Sequence, residues 1–200
     1  MKARILIAFC VILTACPTNA SEDSIGSNGI NSAVLGLNGN GVPIGQVETN
    51  RPGKPGFDSA TLIHNDVVPL AVFVQDMPAL MDAGIDPMDA HALEVAGVMI
   101  SDHSTATGVA PNALLFASAF TDTPPDEQIL NTMQHVALQG GGDVRAINMS
   151  FGQGDVTDVL DGNSQLCLFM DWSARQHDVL YVKAGPETGP AMDKDLGDDN

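Results

Sequence analysis

Residues 125–152 read PDEQILNTMQHVALQGGGDVRAINMSFG, and their reading decides the fold. Pro125 and the acids Asp126 and Glu127 suit a helix start, where Pro costs no hydrogen bond and negative charge meets the positive end of the helix dipole. Ile129, Leu130, Met133, Val136 and Ala137 then recur at helical spacing and make one apolar stripe. Three glycines, Gly140 to Gly142, end the helix. VRAINMSFG (144–152) follows as a short apolar run closing on glycine, which predicts a strand.

The same alternation extends both ways. Downstream, 163–176 predicts a helix and VLYVKAG (179–185) a strand. Upstream, NALLFASAF (112–120) predicts a strand and DPMDAHALEVAGVMIS (86–101) a helix, with Asp86 or Asp89 as its cap and Pro87 in its first turn. VVPLAVFVQD (67–76) is a further apolar run, weakened as a central strand by Pro69. VPIGQVE (42–48) predicts a buried strand ending in a loop. Strands that are continuous apolar runs, alternating with helices, imply an α/β domain: a mostly parallel sheet covered by helices on both faces. Ligands of such sheets lie at the carboxyl ends of the strands. Here those ends are Glu48, Ser150-Phe151-Gly152 and Gly185-Pro186-Glu187.

With 200 residues and 44% hydrophobic content the chain can form one domain with a real core. Aromatics are only 4%, which suits close-packed strands and helices better than an aromatic ligand groove. The formal charge of −17 repels nucleic acid and anionic lipid, so no nucleic-acid partner is expected.

The N-terminus carries a basic start, Lys2 and Arg4, and a short apolar run, Ile5 to Leu13. That run is too short to span a bilayer and predicts an export signal. Leu13-Thr14-Ala15-Cys16 would suit lipidation of Cys16 and membrane anchoring; Thr18-Asn19-Ala20 would suit ordinary cleavage. The expected organisation is a signal peptide over 1–20, a polar spacer over 21–36 and a domain over 37–200. The expected location is extracellular or periplasmic, released or held at a bacterial membrane by lipid. Of the three cysteines only Cys167 then remains, so no intrachain disulfide is expected, and Cys167 is read as a core residue.

Five stretches, in this order, resemble the subtilases, the subtilisin-like serine peptidases. LNGNGVPIGQVE (37–48) resembles the strand that ends on the family's catalytic acid, which puts Glu48 at that place. HALEVAG (91–97) resembles HGTHVAG, with His91 at the catalytic histidine. TGVAPNALL (107–115) resembles GVAPNA. RAINMSFG (145–152) resembles INMSLGG, which places Ser150, Phe151 and Gly152 at the wall of the substrate cleft. VLYVKAGPE (179–187) resembles VVAAAGNE, with Pro186 at the oxyanion asparagine. The resemblance spans roughly residues 37–190 and implies a three-layer subtilisin-like fold and a polypeptide substrate.

It also implies roles. A carboxylate at a strand end can orient an imidazole at the first turn of a following helix, and the imidazole can deprotonate a serine hydroxyl. His91 would be the general base and Glu48 its orienting acid. Four departures bear on this. Glu48 is longer than aspartate by one C–C bond. HGTH becomes HALE. Pro186 has no side-chain donor for an oxyanion. No GTSMA-like nucleophile segment occurs in the 200 residues. The chain is therefore expected to be the N-terminal part of a peptidase domain, truncated before the nucleophile. As given it is expected to be inactive, or to be a pseudo-peptidase that binds peptides or proteins.

Against these roles stand plainer ones: His91 as a polar helix opener, Glu48 as a strand-end carboxylate, Ser150 to Gly152 as a strand terminator. His91 and Glu94 at i, i+3 could ligate a metal, but no third ligand is evident, so no metal and no cofactor is expected. His64, His135 and His177 are read as surface residues. An incomplete sheet predicts an exposed apolar edge and self-association.

Overall fold

The computed structural model describes residues 37–59, 63–80, 88–120, 126–152 and 162–184. Cys16, Pro186, the signal and the spacer lie outside them. The elements are β1 (Pro43–Glu48), β2 (Ala71–Val74), β3 (Met77–Pro78), α1 (Ala90–Ile100), β4 (Leu114–Ala119), α2 (Asp126–Ala137), β5 (Ala146–Met149), α3 (Gln165–His177) and β6 (Leu180–Lys183). The six strands form one sheet in the order β3-β2-β4-β1-β5-β6. Every pairing is parallel except β2 with β3.

The alternation of side chains along β1 sorts its residues between two layers. Val47 faces the main core, with Phe116 of β4, Ile147 and Met149 of β5, and Met133 and Val136 of α2. Gly45 on this face leaves room for the helix: a Cβ there would stand 2.4 Å from Val136 Cγ1. Ile44, on the opposite face, packs with Leu115, Val67 and the Ala96 and Ile100 side of α1. Gln46 and Glu48 share the parity of Ile44 and so also face α1. Gln46 Nε2 donates to the Ala92 carbonyl at 2.8 Å, both groups buried, which ties α1 to β1.

Several expectations needed correction. The 67–76 run is strand only from Ala71, because Pro69 cannot join a ladder. Asp89 stands at the cap of α1 but its side chain makes no capping bond. The helix expected over 163–176 runs instead over Gln165–His177, capped by Ser164, whose hydroxyl accepts from Cys167 N at 3.2 Å. Cys167 is half-buried in the first turn of α3 rather than in the core. His135 is half-buried too: its ring meets Phe73 edge-on at 4.6 Å, and desolvation pushes its pKa down, against the charge of Asp76.

The loop after β1 has a polar centre of its own. Arg51 and Asp58 are fully buried and joined by two bonds, of 2.8 and 2.9 Å. Arg51 also donates to the carbonyls of Pro52 and Leu80, each at 3.2 Å. Its own carbonyl accepts from Asp89 N at 3.1 Å, and its backbone bridges to Met88. The loop thus fixes the chain immediately before α1.

Candidate active site

β1 carries Glu48 to its carboxyl end, and the first turn of α1 carries His91. β5, paired beside β1, delivers Ser150 one residue past its own end. The three meet. Glu48 Oε1 accepts from Ser150 N at 2.8 Å. Glu48 Oε2 lies 3.7 Å from His91 Nε2. The same Nε2 lies 3.0 Å from the Ser150 carbonyl oxygen.

A carbonyl oxygen only accepts, so this contact is a hydrogen bond in neutral His91 when the proton is on Nε2. The basic lone pair then stands on Nδ1. In the serine-peptidase template the carboxylate holds Nδ1 and leaves Nε2 to the nucleophile; here the ring is turned the other way. The ring is half open to solvent, whereas the Glu48 side chain is 2% exposed. Burial pushes the Glu48 pKa up. The Ser150 N–H and the charges of His91 and Lys183 oppose that rise, and Asp89 adds to it.

The expected cleft wall, Ser150 to Gly152, is held on both sides. Asn148 Nδ2 donates to Ser150 Oγ at 2.8 Å. Phe151 packs edge-on against Phe120, with ring centroids 4.7 Å apart. From β6, Lys183 Nζ donates to the Phe151 carbonyl and lies 4.9 Å from the centre of its ring. Ser150 and Phe151 are half-buried and Gly152 is exposed.

Sequence reasoning therefore brought Glu48, His91 and Ser150 to one place, and it missed Lys183. The signal was available: Lys183 is the charged residue in an otherwise apolar strand, next to a strand end that was singled out. Glu94 does not join His91. It faces a cavity of about 370 Å³ on the outer side of α1, lined also by His64, His103, Leu93 and Val98. Among the described residues no cluster of three His, Cys, Asp or Glu side chains could hold a metal ion.

Comparison with known proteins agrees with this architecture. The sequence pattern of the Subtilase family (Peptidase_S8) matches residues 39–191, and the chain belongs to that family. Its fold is similar to that of MycP1 with the N-terminal propeptide removed, at 20% identity and a TM-score of 0.56, over 86% of this chain and 50% of that one. MycP1 from Mycobacterium smegmatis matches at 17% identity and 0.51, over 86% and 46%. A serine protease MycP1 described as an essential component of the type VII (ESX-1) secretion system matches at 16% and 0.51, over 88% and 49%. The chain spans about half the length of these structures. No curated protein is similar to it in sequence.

Proposed function

We propose that this chain is the His- and acid-bearing part of an exported subtilisin-like endopeptidase. Its polypeptide substrate lies along Ser150 to Gly152. His91 is the general base and Glu48 its orienting acid. The observation that carries this reading is the meeting of Glu48 and His91 at 3.7 Å, one at the end of β1 and the other in the first turn of α1. The serine nucleophile comes from residues outside these 200, and the base reaches it after the ring turns to present Nε2. Hydrolysis of labelled casein by the protein purified from its source tests this. His91→Ala should reduce the rate by several orders of magnitude, as loss of a triad member does. Turnover that survives the substitution rejects the assignment.

A second reading rests on the ring orientation. With Nε2 bonded to the Ser150 carbonyl, with Glu48 in place of aspartate and Pro186 in place of asparagine, the chain would serve as a peptide-binding module that adds a strand to the Ser150–Gly152 segment. Saturable peptide binding without hydrolysis supports it. In either reading the N-terminal signal directs export: cleavage before Cys16 would leave a lipid anchor on that residue, and cleavage after Ala20 would release the domain. An intact mass of the native protein, with or without an acylated Cys16, checks both points.

A further inference from the structure

We propose that the groove between α2 and α3 is a binding site for a neutral saccharide. It shares no residue with the Glu48–His91 pair and does not depend on the peptidase reading. The two helices pack against each other over the main core and leave between them a groove of about 560 Å³, a size that suits a small-molecule site. Glu127, Asn131 and Gln134 line it from α2, and Gln165, Phe169 and Trp172 line it from α3. On each helix these residues stand at i, i+4 and i+7, so each trio forms one stripe along one face. A helix rises about 10 Å over such a stripe, enough for a disaccharide.

The two stripes differ in chemistry, and the difference selects the ligand. The α2 stripe is polar throughout. Its amides offer both donors and acceptors and its carboxylate offers acceptors, which matches hydroxyl groups that do both. The α3 stripe turns aromatic. The rings of Phe169 and Trp172 lie 5.5 Å apart at 47°, and His177 meets Trp172 edge-on at 5.6 Å. Trp172 nevertheless stays 49% exposed. The negative face of such a ring attracts C–H groups. A pyranose carries C–H groups on its faces and hydroxyls around its rim, so one ligand satisfies both walls. Aromatics are only 4% of the chain, yet its one tryptophan stands here. None of the residues lining the groove is basic and Glu127 is acidic, so an anion gains nothing there. Gln134 adds a second observation. Its Nε2 stands 3.2 Å from His177 Nε2, while its Oε1 is buried with no hydrogen-bond partner. A buried acceptor without a donor is costly. The terminal torsion of glutamine is broad, so the amide can turn this oxygen to a hydroxyl held in the groove.

The test is the emission of Trp172, which reports on this groove alone because the chain has one tryptophan. The full chain is titrated with cellobiose, maltose and di-N-acetylchitobiose, and with sorbitol as a polyol that has no ring face. At least one disaccharide should give a saturable change with a Kd on the order of 1 mM, and sorbitol should give none. Gln134→Leu should weaken that binding about three- to tenfold. By calorimetry Trp172→Ala should abolish it, and Trp172→Phe, which keeps an aromatic face, should retain part of it. Partial rescue by phenylalanine separates loss of the ring from loss of folding. No saturable change with any of the disaccharides, an equal response to sorbitol, or binding that survives Trp172→Ala overturns the inference. The titration is repeated on a Leu180→Lys, Val182→Lys variant, whose changes lie outside the groove. A signal that disappears there reports self-association and overturns the inference as well. The readout involves neither hydrolysis nor His91, so its failure leaves the peptidase reading standing.

Discussion

Glu48 and His91 form an unequal pair: a carboxylate sealed inside the sheet end stands 3.7 Å from an imidazole half open to water. The sealed partner controls the pH response. Burial raises its pKa in the folded state above the ordinary 4.5. Between those two values the native protein keeps a proton that the unfolded chain has released. This contribution therefore favours the fold at low pH, and it is lost as pH rises from 4.5 through the folded value. Glu48→Gln keeps an acceptor for Ser150 N and removes the buried charge. It should raise Tm at about pH 7 and bring no gain at about pH 3.5, where both states are protonated. A gain of equal size at both pH values would show that burial of the charge is not the cause.

Asp58→Ala should destabilise the protein by about 3–5 kcal/mol, because it leaves the Arg51 guanidinium buried without its carboxylate. The effect should extend to the site, since Arg51 also holds Asp89 and Met88 just before α1. Replacing both residues by apolar ones of similar volume should recover much of the loss. Urea unfolding of the single and double variants checks this, and a single-variant cost below about 1 kcal/mol would mean the pair is not structurally important.

Gly108→Ala should be harmful although it adds only one methyl. The new Cβ would stand 2.7 Å from the backbone nitrogens of Ile100 and Ser101 and 2.8 Å from the Gly97 carbonyl oxygen. These are backbone atoms at the end of α1 and cannot swing aside. The expected cost is about 1–3 kcal/mol in thermal or denaturant melts. A neutral result would mean that the 108–113 loop is free to move off the helix.

The α3–β6 side should drive self-association. Leu168 and Trp172 on α3, and Leu180 and Val182 on β6, are exposed, and β6 ends the strand order of the described residues. Apolar side chains along an edge strand promote pairing with another chain. Light scattering coupled to gel filtration should show oligomers that dissociate when Leu180 and Val182 are both replaced by lysine. A monodisperse monomer of the unsubstituted chain would contradict this.

Where periodicity is strong, the sequence predicted the structure well. The stripe Ile129–Ala137 became the helix that covers the core, and the apolar runs became neighbouring parallel strands. The run weakened by Pro69 is strand only over Ala71–Val74, whereas the run opening at Val42 is strand from Pro43 to Glu48, where the proline stands at the first strand position. Glu48, His91 and Ser150 were legible because ordered motifs and strand ends marked them. The contacts that lock them in place were not. Gln46 reaching Ala92 and Arg51 reaching Asp58 depend on loop paths that no local pattern encodes. The turn of the His91 ring was equally hidden, because it depends on a carbonyl 59 residues away.

Both backbone groups of Ser150 are gripped, its N–H by Glu48 and its C=O by His91. A slide of β5 by one residue, about 3.3 Å along the strand, would break both bonds in one step. The site therefore acts as a vernier on the sheet: carboxylate and imidazole both hold Ser150 only when the two strands are in register. An NMR signal from the His91 ring would then report the alignment of β1 and β5, and a peptide pulling on residues 150–152 would be felt at the imidazole before any bond in that peptide is touched.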